Sequence, residues 1–337
     1  MSTPSAIASD PSWLPHRIDT ATRQVEFLRI QRGELTGQGF LADRDPPPQD
    51  RAMVGWNDIA AMKPPSGQLH FVFHTAFCRS TLLVRALDEP GVAVGLNEPG
   101  IIASMVNAGE AAAPLIAPIL ALLARPHAPG KRGAEEAVFV KPTNHANMLM
   151  PALLRARPDA CAVLMTNDLP VFLRSVARKG MMGRRWGRQL FLELQAYAGM
   201  DFGMDAHESF SMTDMQAAAL AWFLSQRWFA LHAGGQVQGV APDRLRVLDG
   251  DRFNAQRAKA LAAVLAHTGI DAPDGLPERL ASGPVFSQHS KLGGAFTGDD
   301  HPAEDQKLAE EIDQVGQWIA LIAQQAEVAA PLPQDLF

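Results

Sequence analysis

Five short, almost continuously apolar segments recur along this chain, and each is followed by a segment whose apolar residues have helical spacing. The segments are LHFVFH (69–74), VAVGL (92–96), AVFVK (137–141), CAVLM (161–165) and LRVLD (245–249). A strand without polar alternation is typically buried on both faces, as in a parallel sheet. Alternation of such strands with helices indicates an α/β fold. We therefore predict a three-layer α/β/α structure around a central, mostly parallel sheet of about five strands.

The length of 337 residues is compatible with a single α/β domain, and we predict one domain over residues 1–337. Residues 181–234 have mostly helical patterns, which we interpret as a helical insertion into that domain. Residues 1–20 are rich in Pro and Ser and are predicted to be poorly ordered. The segment 303–327 has the pattern of a final amphipathic helix.

Charge and cysteine content narrow the class of protein. The formal net charge is −6, whereas nucleic-acid-binding proteins usually carry a basic excess, so we expect no nucleic-acid partner. Two cysteines cannot build a disulfide framework, and the N-terminal segment lacks a secretory pattern, so we expect a cytoplasmic protein. The most apolar stretch, 111–124, is about 14 residues long, too short to span a bilayer, so no membrane partner is expected. The oligomeric state, including a homodimer, stays open.

The segment after the first apolar run predicts a strand, a loop and then a helix that begins near Ser80. Free N–H groups at a helix start attract anions. Ser80 and Thr81 add hydroxyl donors, and Arg79 adds a cation suited to phosphate. We interpret the loop as an anion site, with a simply capped helix as the alternative. Its candidate binding residues are Thr75, Ala76, Phe77, Cys78, Arg79, Ser80 and Thr81.

Two other interpretations of this loop are disfavoured. No Gly-Lys pair precedes the hydroxyl residues, so the Walker pattern of ATP- and GTP-hydrolysing enzymes is absent. A phosphatase-type loop would need an arginine six positions after Cys78, where the chain has Val84. We therefore do not expect Cys78 to be a nucleophile.

The loop sequence FCRSTLL resembles the cosubstrate-binding loop of sulfotransferases, which has the type KSGTT or RSGTT. In that family the loop holds the 5′-phosphate of PAPS (3′-phosphoadenosine-5′-phosphosulfate). Arg79, Ser80 and Thr81 take the places of the family's Gly-Thr-Thr. The family's usual basic residue lies two positions earlier, where this chain has Phe77, so the resemblance implies that Arg79 supplies the charge.

Later segments follow in the family's order. VFVKPTNHANML is similar to the strand that ends in a Lys-Thr-His motif, and the resemblance implies that Lys141 stabilises charge on the transferring group. The family's catalytic histidine falls on Thr143. Two candidate bases remain, Glu98 in the NEPG segment and His145.

The 3′-phosphate site of the family consists of an arginine, a serine eight residues later and a late basic loop. Ser175 matches the serine, and Asn167 stands where the arginine is expected, so Arg174 or Arg178 is implied as the replacing cation. In the loop FSQHSKLGGAFTG, the matching residues are Ser290 and Lys291.

Taken together, the resemblance implies a P-loop NTPase-like topology and a PAPS-dependent sulfotransferase that uses no metal. The expected acceptor is a hydroxyl or amine of a small molecule, and residues 181–234 are the predicted acceptor lid. Its candidate apolar residues are Met181, Met182, Trp186, Phe191 and Phe202. Two alternatives stay open: a kinase that uses ATP and Mg²⁺, and a catalytically inactive sulfotransferase-like protein.

Overall fold

The computed structural model describes residues 3–35, 39–65, 67–131, 135–287, 306–328, 332 and 334–337. Within these residues the strands form two sheets. The strands are β1 (Trp13–Asp19), β2 (Gln24–Arg29), β3 (Arg51–Gly55), β4 (Leu69–His74), β5 (Ala93–Asn97), β6 (Ala137–Lys141), β7 (Ala162–Thr166) and β8 (Leu245–Asp249).

The larger sheet has five strands in the order β5-β6-β4-β7-β8, and every neighbouring pair is parallel. Counted within this sheet the order is 2-3-1-4-5, which agrees with the predicted P-loop NTPase-like topology. Every residue of β4, β5, β6 and β7 is buried. Burial on both faces explains why these strands have no polar alternation. The predicted α/β fold is confirmed.

Fifteen α-helices lie in the described residues and cover both faces of this sheet. They are α1 (Pro4–Ser9), α2 (Arg32–Leu35), α3 (Trp56–Ala61), α4 (Ser80–Ala86), α5 (Gly100–Ala108), α6 (Ile116–Leu123), α7 (Met150–Ala156), α8 (Leu169–Arg178), α9 (Gly180–Ala198), α10 (Ala206–Ser211), α11 (Asp214–Ala233), α12 (Gly250–Ala255), α13 (Arg257–His267), α14 (Leu276–Ala281) and α15 (Gln306–Gln325).

Alternate side chains of the central strand β4 enter different hydrophobic clusters. Phe71 and Phe73 pack in a cluster with residues of α5, α6 and α7, whereas Val72 packs with residues of α4 and α13. A third cluster joins α8, α9, α11 and α15. Residues 181–234 are therefore mostly helical, as predicted, and follow β7 in the chain. The single-domain interpretation stays a prediction.

The expectation that residues 1–20 are poorly ordered is wrong for the described residues from 3 onward. They form α1 and β1, and β1 pairs with β2 in an antiparallel three-stranded sheet. The guanidinium of Arg125, 1% exposed, donates hydrogen bonds to the backbone carbonyls of Ile7, Asp10 and Trp13. These hydrogen bonds join the N-terminal residues to the C-terminal end of α6, which is distant in the chain. The local Pro- and Ser-rich pattern therefore could not predict them.

The apolar stretch that we judged too short for a membrane belongs to a longer helical run, 100–123, of 24 residues. By length and composition this run could cross a membrane, a test that core helices of soluble proteins also pass. Ile101, Ile102, Ile119 and Leu120 in the run are buried in the main core.

Candidate functional site

A cleft of about 570 Å³ lies where the loop after β4 meets the ends of β5 and β6 and the start of α9. Carboxyl ends of parallel strands are the usual position of ligand sites in open α/β sheets. Both charged and aromatic side chains line the cleft. Its lining residues are Phe40, His74, Ala76, Phe77, Cys78, Arg79, Ser80, Thr81, Glu98, Lys141, Asn144, Ser175, Lys179, Met182, Gly183 and Trp186.

The backbone of the loop between β4 and α4 has an unusual conformation. Ala76, Phe77 and Arg79 have φ angles of 74°, 54° and 63°, a region that residues other than glycine rarely adopt. Successive turns of this kind direct backbone N–H groups toward one point and form an anion-binding concavity. The N–H groups of Cys78, Arg79 and Thr81 donate to no backbone carbonyl of the described residues. The loop therefore presents donors to the cleft, as the predicted anion site requires.

The amide of Asn167 holds this loop from behind. Its Oδ1 accepts a hydrogen bond from Thr75 Oγ1 at 3.2 Å, and its Nδ2 donates to the carbonyl of Ala76 at 3.3 Å. Asn167 is 4% exposed, and neither it nor Thr75 lines the cleft. These two predicted cosubstrate ligands therefore position the loop and do not face the cleft.

Arg79 lines the cleft, but its guanidinium is directed to a carboxylate. Nε and Nη2 lie 3.2 and 2.9 Å from Asp251 Oδ1. Gly250, which precedes Asp251, allows this close approach because it has no side chain. A Cβ atom at position 250 would lie only 2.4 Å from the carbonyl oxygen of Cys78. Arg79 is therefore paired with Asp251 in this structure, and its role as the loop's positive charge stays a prediction.

Lys141 and Glu98, two of the predicted catalytic residues, form an ion pair in the cleft. Lys141 Nζ lies 2.5 Å from Glu98 Oε1, and the lysine side chain is 1% exposed. The pair follows from the sheet, because Lys141 ends β6 and the Glu98 N–H donates to the Lys141 carbonyl at 2.8 Å. The φ of Glu98 is 52°, another left-handed conformation at the cleft. Phe40 covers the lysine, with its ring centroid 5.6 Å from Nζ.

His145, the second candidate base, does not line the cleft. Its Nδ1 lies 3.0 Å from Glu193 Oε2 of α9. Of the two candidate bases, only Glu98 faces the cleft. It is also the only carboxylate among the described lining residues.

Sequence reasoning missed His74, the last residue of β4. Its Nδ1 accepts a hydrogen bond from the Ala76 N–H at 3.2 Å, and its Nε2 lies 3.1 Å from the Pro142 carbonyl. These partners assign the proton to Nε2. The His74 ring therefore joins the loop after β4 to the segment after Lys141. The sequence signal for this role was a polar residue at the end of an otherwise apolar strand.

The predicted 3′-phosphate residues are only partly in the cleft. Ser175 of α8 lines it, with its Oγ donating to the Val171 carbonyl at 2.9 Å, whereas Arg174 does not line it. Ser290 and Lys291 lie outside the described residues. Cys78 is buried, and burial raises the pKa of its thiol, which disfavours a thiolate nucleophile, as expected.

An aromatic wall closes one side of the cleft. Phe77 packs against Trp186 and Phe172, with ring centroids 5.3 and 5.7 Å apart. Lys179, exposed between α8 and α9, places Nζ 5.8 Å from the Phe77 centroid. The sequence had not singled out this lysine, which forms no salt bridge in the described residues.

The predicted lid residues separate into two groups. Met182 and Trp186 line the cleft, whereas Phe191 and Phe202 pack together in the helical cluster, with ring centroids 6.3 Å apart. Met181 is exposed and does not line the cleft.

No protein-family model and no curated protein matches this chain. Among solved structures it is similar to the sulfotransferase domain from the curacin biosynthetic pathway (13% identity, 79% of this chain and 99% of that chain covered, TM-score 0.37). It is also similar to a sulfotransferase from Alicyclobacillus acidocaldarius (12% identity, 79% of this chain and 97% of that chain covered, TM-score 0.39). A mouse sulfotransferase complexed with PAP is similar as well (8% identity, 86% of this chain and 90% of that chain covered, TM-score 0.35). Similarity at this level does not assign an activity to this chain.

Proposed function

We propose that this protein is a sulfotransferase that moves a sulfuryl group from PAPS to a hydroxyl or amine of a small apolar molecule. The observation that carries the proposal is the cleft itself. It combines a loop of backbone N–H donors with two side chains from neighbouring strands. These are the buried Lys141, which ends β6, and Glu98, which follows β5 and is the only carboxylate among the described lining residues.

The loop would hold the 5′-phosphosulfate end of PAPS. Backbone N–H groups of Cys78, Arg79 and Thr81 and the hydroxyls of Ser80 and Thr81 supply donors that suit a phosphate or sulfate. With Arg79 paired to Asp251, the other cations among the described lining residues are Lys179 and Lys141, and Lys141 is itself paired with Glu98. Ser175, which lines the cleft, would contact the 3′-phosphate.

In the transfer step the acceptor oxygen or nitrogen forms a bond to sulfur. The bond between sulfur and the bridging oxygen breaks, and its electron pair stays on the departing phosphate. Lys141 would stabilise that developing negative charge. Glu98 would take the acceptor's proton, since it is the carboxylate that lines the cleft.

The acceptor would lie against the aromatic wall. Phe40, Phe77, Met182 and Trp186 are large apolar side chains that line the same cleft as the Lys141–Glu98 pair. Apolar and aromatic linings with a few polar groups favour hydrophobic ligands. We therefore propose a phenol, or an alcohol or amine on an apolar body, as the acceptor class.

One observation favours a second candidate, a PAPS-binding relative without transfer activity. Phe77 occupies the loop's usual basic position and Arg79 is neutralised by Asp251, so the loop contributes no free cation. In that case adenosine 3′,5′-bisphosphate (PAP) would bind and no acceptor would be sulfated.

The test combines calorimetry with PAP and a sulfation assay. We expect the wild type to bind PAP and not ATP with Mg²⁺, and to transfer sulfate from PAPS to members of a panel of phenols, alcohols and amines. Glu98→Gln should keep PAP binding and lose activity by about 10²–10⁴, the usual contribution of a general base. Glu193→Gln, which removes the carboxylate beside His145, is the matched control and should retain activity.

Three outcomes decide between the candidates. Binding of ATP with Mg²⁺ but not PAP would replace the proposal with a kinase-type function. PAP binding without transfer to any acceptor favours the inactive relative. Full activity of Glu98→Gln with loss in a His145→Gln variant would assign the base to His145.

A further inference from the structure

A second cavity, of about 290 Å³, lies at the ends of β7 and β8 and shares no lining residue with the cleft. Helices α11, α12 and α15 and the C-terminal segment complete its walls. Its volume is close to the lower limit of small-molecule pockets, about 300 Å³. The lining residues are Thr166, Asn167, Asp168, Trp222, Phe223, Gln226, Val247, Asp249, Arg252, Ala323, Val328, Leu332 and Asp335.

The side chain of Gln226 indicates that this cavity is built for a ligand. Gln226 is 7% exposed and lines the cavity, and its amide has no hydrogen-bond partner in the described part of the chain. The fully buried side-chain atoms that lack a partner among the described residues do not include this amide, so the amide is accessible from the cavity and can bond to an occupant. Trp222 beside it does have a partner, because its Nε1 donates to the Asn167 carbonyl at 2.8 Å. An occupant with a polar group would supply the missing partner of Gln226.

The charges of the cavity select the kind of occupant. Arg252 is paired with Asp335, which leaves Asp168 and Asp249 without a cation among the described lining residues. The Asp249 carboxylate accepts hydrogen bonds from the N–H groups of Asp251 and Arg252. Burial and the nearby charges of Asp168 and Asp251 outweigh these bonds and raise the pKa of Asp249. With Asp168 and Asp249 unpaired and Arg252 held by Asp335, the described lining of the cavity has an excess of carboxylates and favours a cation.

The remaining wall is apolar. Its members are Trp222, Phe223, Val247, Ala323, Val328 and Leu332. A bare metal ion does not suit such walls, and no group of His, Cys, Asp or Glu that could hold a metal occurs among the described residues. The walls suit a hydrocarbon or aromatic body.

We propose that this cavity is a binding site for a small organic cation, a protonated primary amine on an apolar body. The ammonium lies toward the carboxylates of Asp168 and Asp249, the apolar body packs against Trp222 and Phe223, and the Gln226 amide bonds to the occupant's polar group. The site does not depend on the proposed sulfotransferase activity, because it shares no lining residue with the cleft.

Calorimetry with 2-phenylethylamine and its neutral analogue 2-phenylethanol tests the proposal. The amine should bind saturably to the wild type, and the alcohol at least about tenfold more weakly, because it lacks the charge-assisted contact. Asp168→Asn should weaken amine binding at least about fivefold, since Asp168 is an exposed cavity residue with no cap hydrogen bond to lose. Gln226→Leu, which keeps a side chain of similar size and removes the amide, should weaken amine binding at least about fivefold by removing its polar contact. Asp271→Asn is the control: it removes an exposed carboxylate that does not line the cavity, and binding should be unchanged.

Competition with PAP locates the bound amine. We expect the amine to bind equally well when PAP saturates the protein, since the two sites are separate. Displacement of the amine by PAP, equal binding of the neutral alcohol, or undiminished binding in both Asp168→Asn and Gln226→Leu would each overturn the proposal. So would the absence of saturable binding of a series of arylalkylamines to wild-type protein that melts cooperatively.

Discussion

Replacing Asn167 with leucine should weaken anion binding in the cleft without changing any residue that lines it. The substitution keeps the shape of the side chain and removes its hydrogen bonds to Thr75 Oγ1 and the Ala76 carbonyl. A neutral hydrogen bond contributes about 0.5–1.5 kcal/mol net, so the loss of both should cost about 1–3 kcal/mol. The loop conformation depends on these bonds, and 1.4 kcal/mol corresponds to about tenfold in affinity. We therefore expect PAP affinity to fall by about 5- to 140-fold.

A double-mutant cycle makes this prediction specific. Thr75→Val removes only the hydroxyl bond, and Asn167→Leu removes both bonds. Calorimetry with PAP on the wild type, both single variants and the double variant should give a coupling of about 0.5–1.5 kcal/mol between the two positions. Denaturant unfolding of the same four proteins measures the stability cost separately. Unchanged PAP affinity in Asn167→Leu, with no coupling to Thr75, would refute the assignment of Asn167 as the residue that holds the loop.

Three further perturbations follow from the geometry. Lys141→Met leaves the Glu98 carboxylate unpaired in a largely buried site, so the free energy of unfolding should fall by about 3 kcal/mol, measured in urea; an unchanged midpoint would contradict the buried pair. Arg79→Ala should change both PAP affinity and stability little, by less than about 1 kcal/mol, because its ion pair is partly exposed; a hundredfold loss of affinity would restore Arg79 as the phosphate ligand. Burial lowers the pKa of His70 to about 4 from its ordinary 6.5, so the unfolded chain takes up a proton that the folded chain excludes. Stability should therefore fall as the pH falls from 6.5 to 4, and His70→Gln should flatten that slope in urea titrations at several pH values.

The central sheet and the position of the candidate site were predictable because their signals are local. Each strand of the sheet is buried on both faces and carries a continuous apolar run, and the predicted bounds differ from the observed ones by at most one residue, as at 92–96 and β5. A lysine that ends one strand and a glutamate that follows the neighbouring strand must meet at the same sheet edge. The Lys141–Glu98 pair was therefore within reach of sequence reasoning, although only as two separate candidates.

The partners of the site residues were not predictable, because they lie far apart in the chain. Arg79 meets Asp251 across 172 positions, and Asn167 meets the loop across more than 90. Whether an arginine beside two hydroxyl residues faces a ligand or a carboxylate depends on how closely another helix approaches. Here Gly250 permits that approach, and a glycine at a helix start gives no warning of it.

The conformation of the loop carries more information about function than its side chains do. Ala76, Phe77 and Arg79 all adopt left-handed φ angles, at a cost of about 1–2 kcal/mol for each residue with a Cβ. A chain that needed only a turn between β4 and α4 would avoid this free-energy cost by having glycine at these positions. The strain persists because His74, Asn167 and the close approach of Gly250 hold the loop. Backbone strain that surrounding contacts maintain is typical of binding sites. In the proposed anion site the backbone N–H groups would bind the ligand, so the loop could carry Phe77 and a paired Arg79, while Lys141 and Lys179 would bring positive charge from other elements.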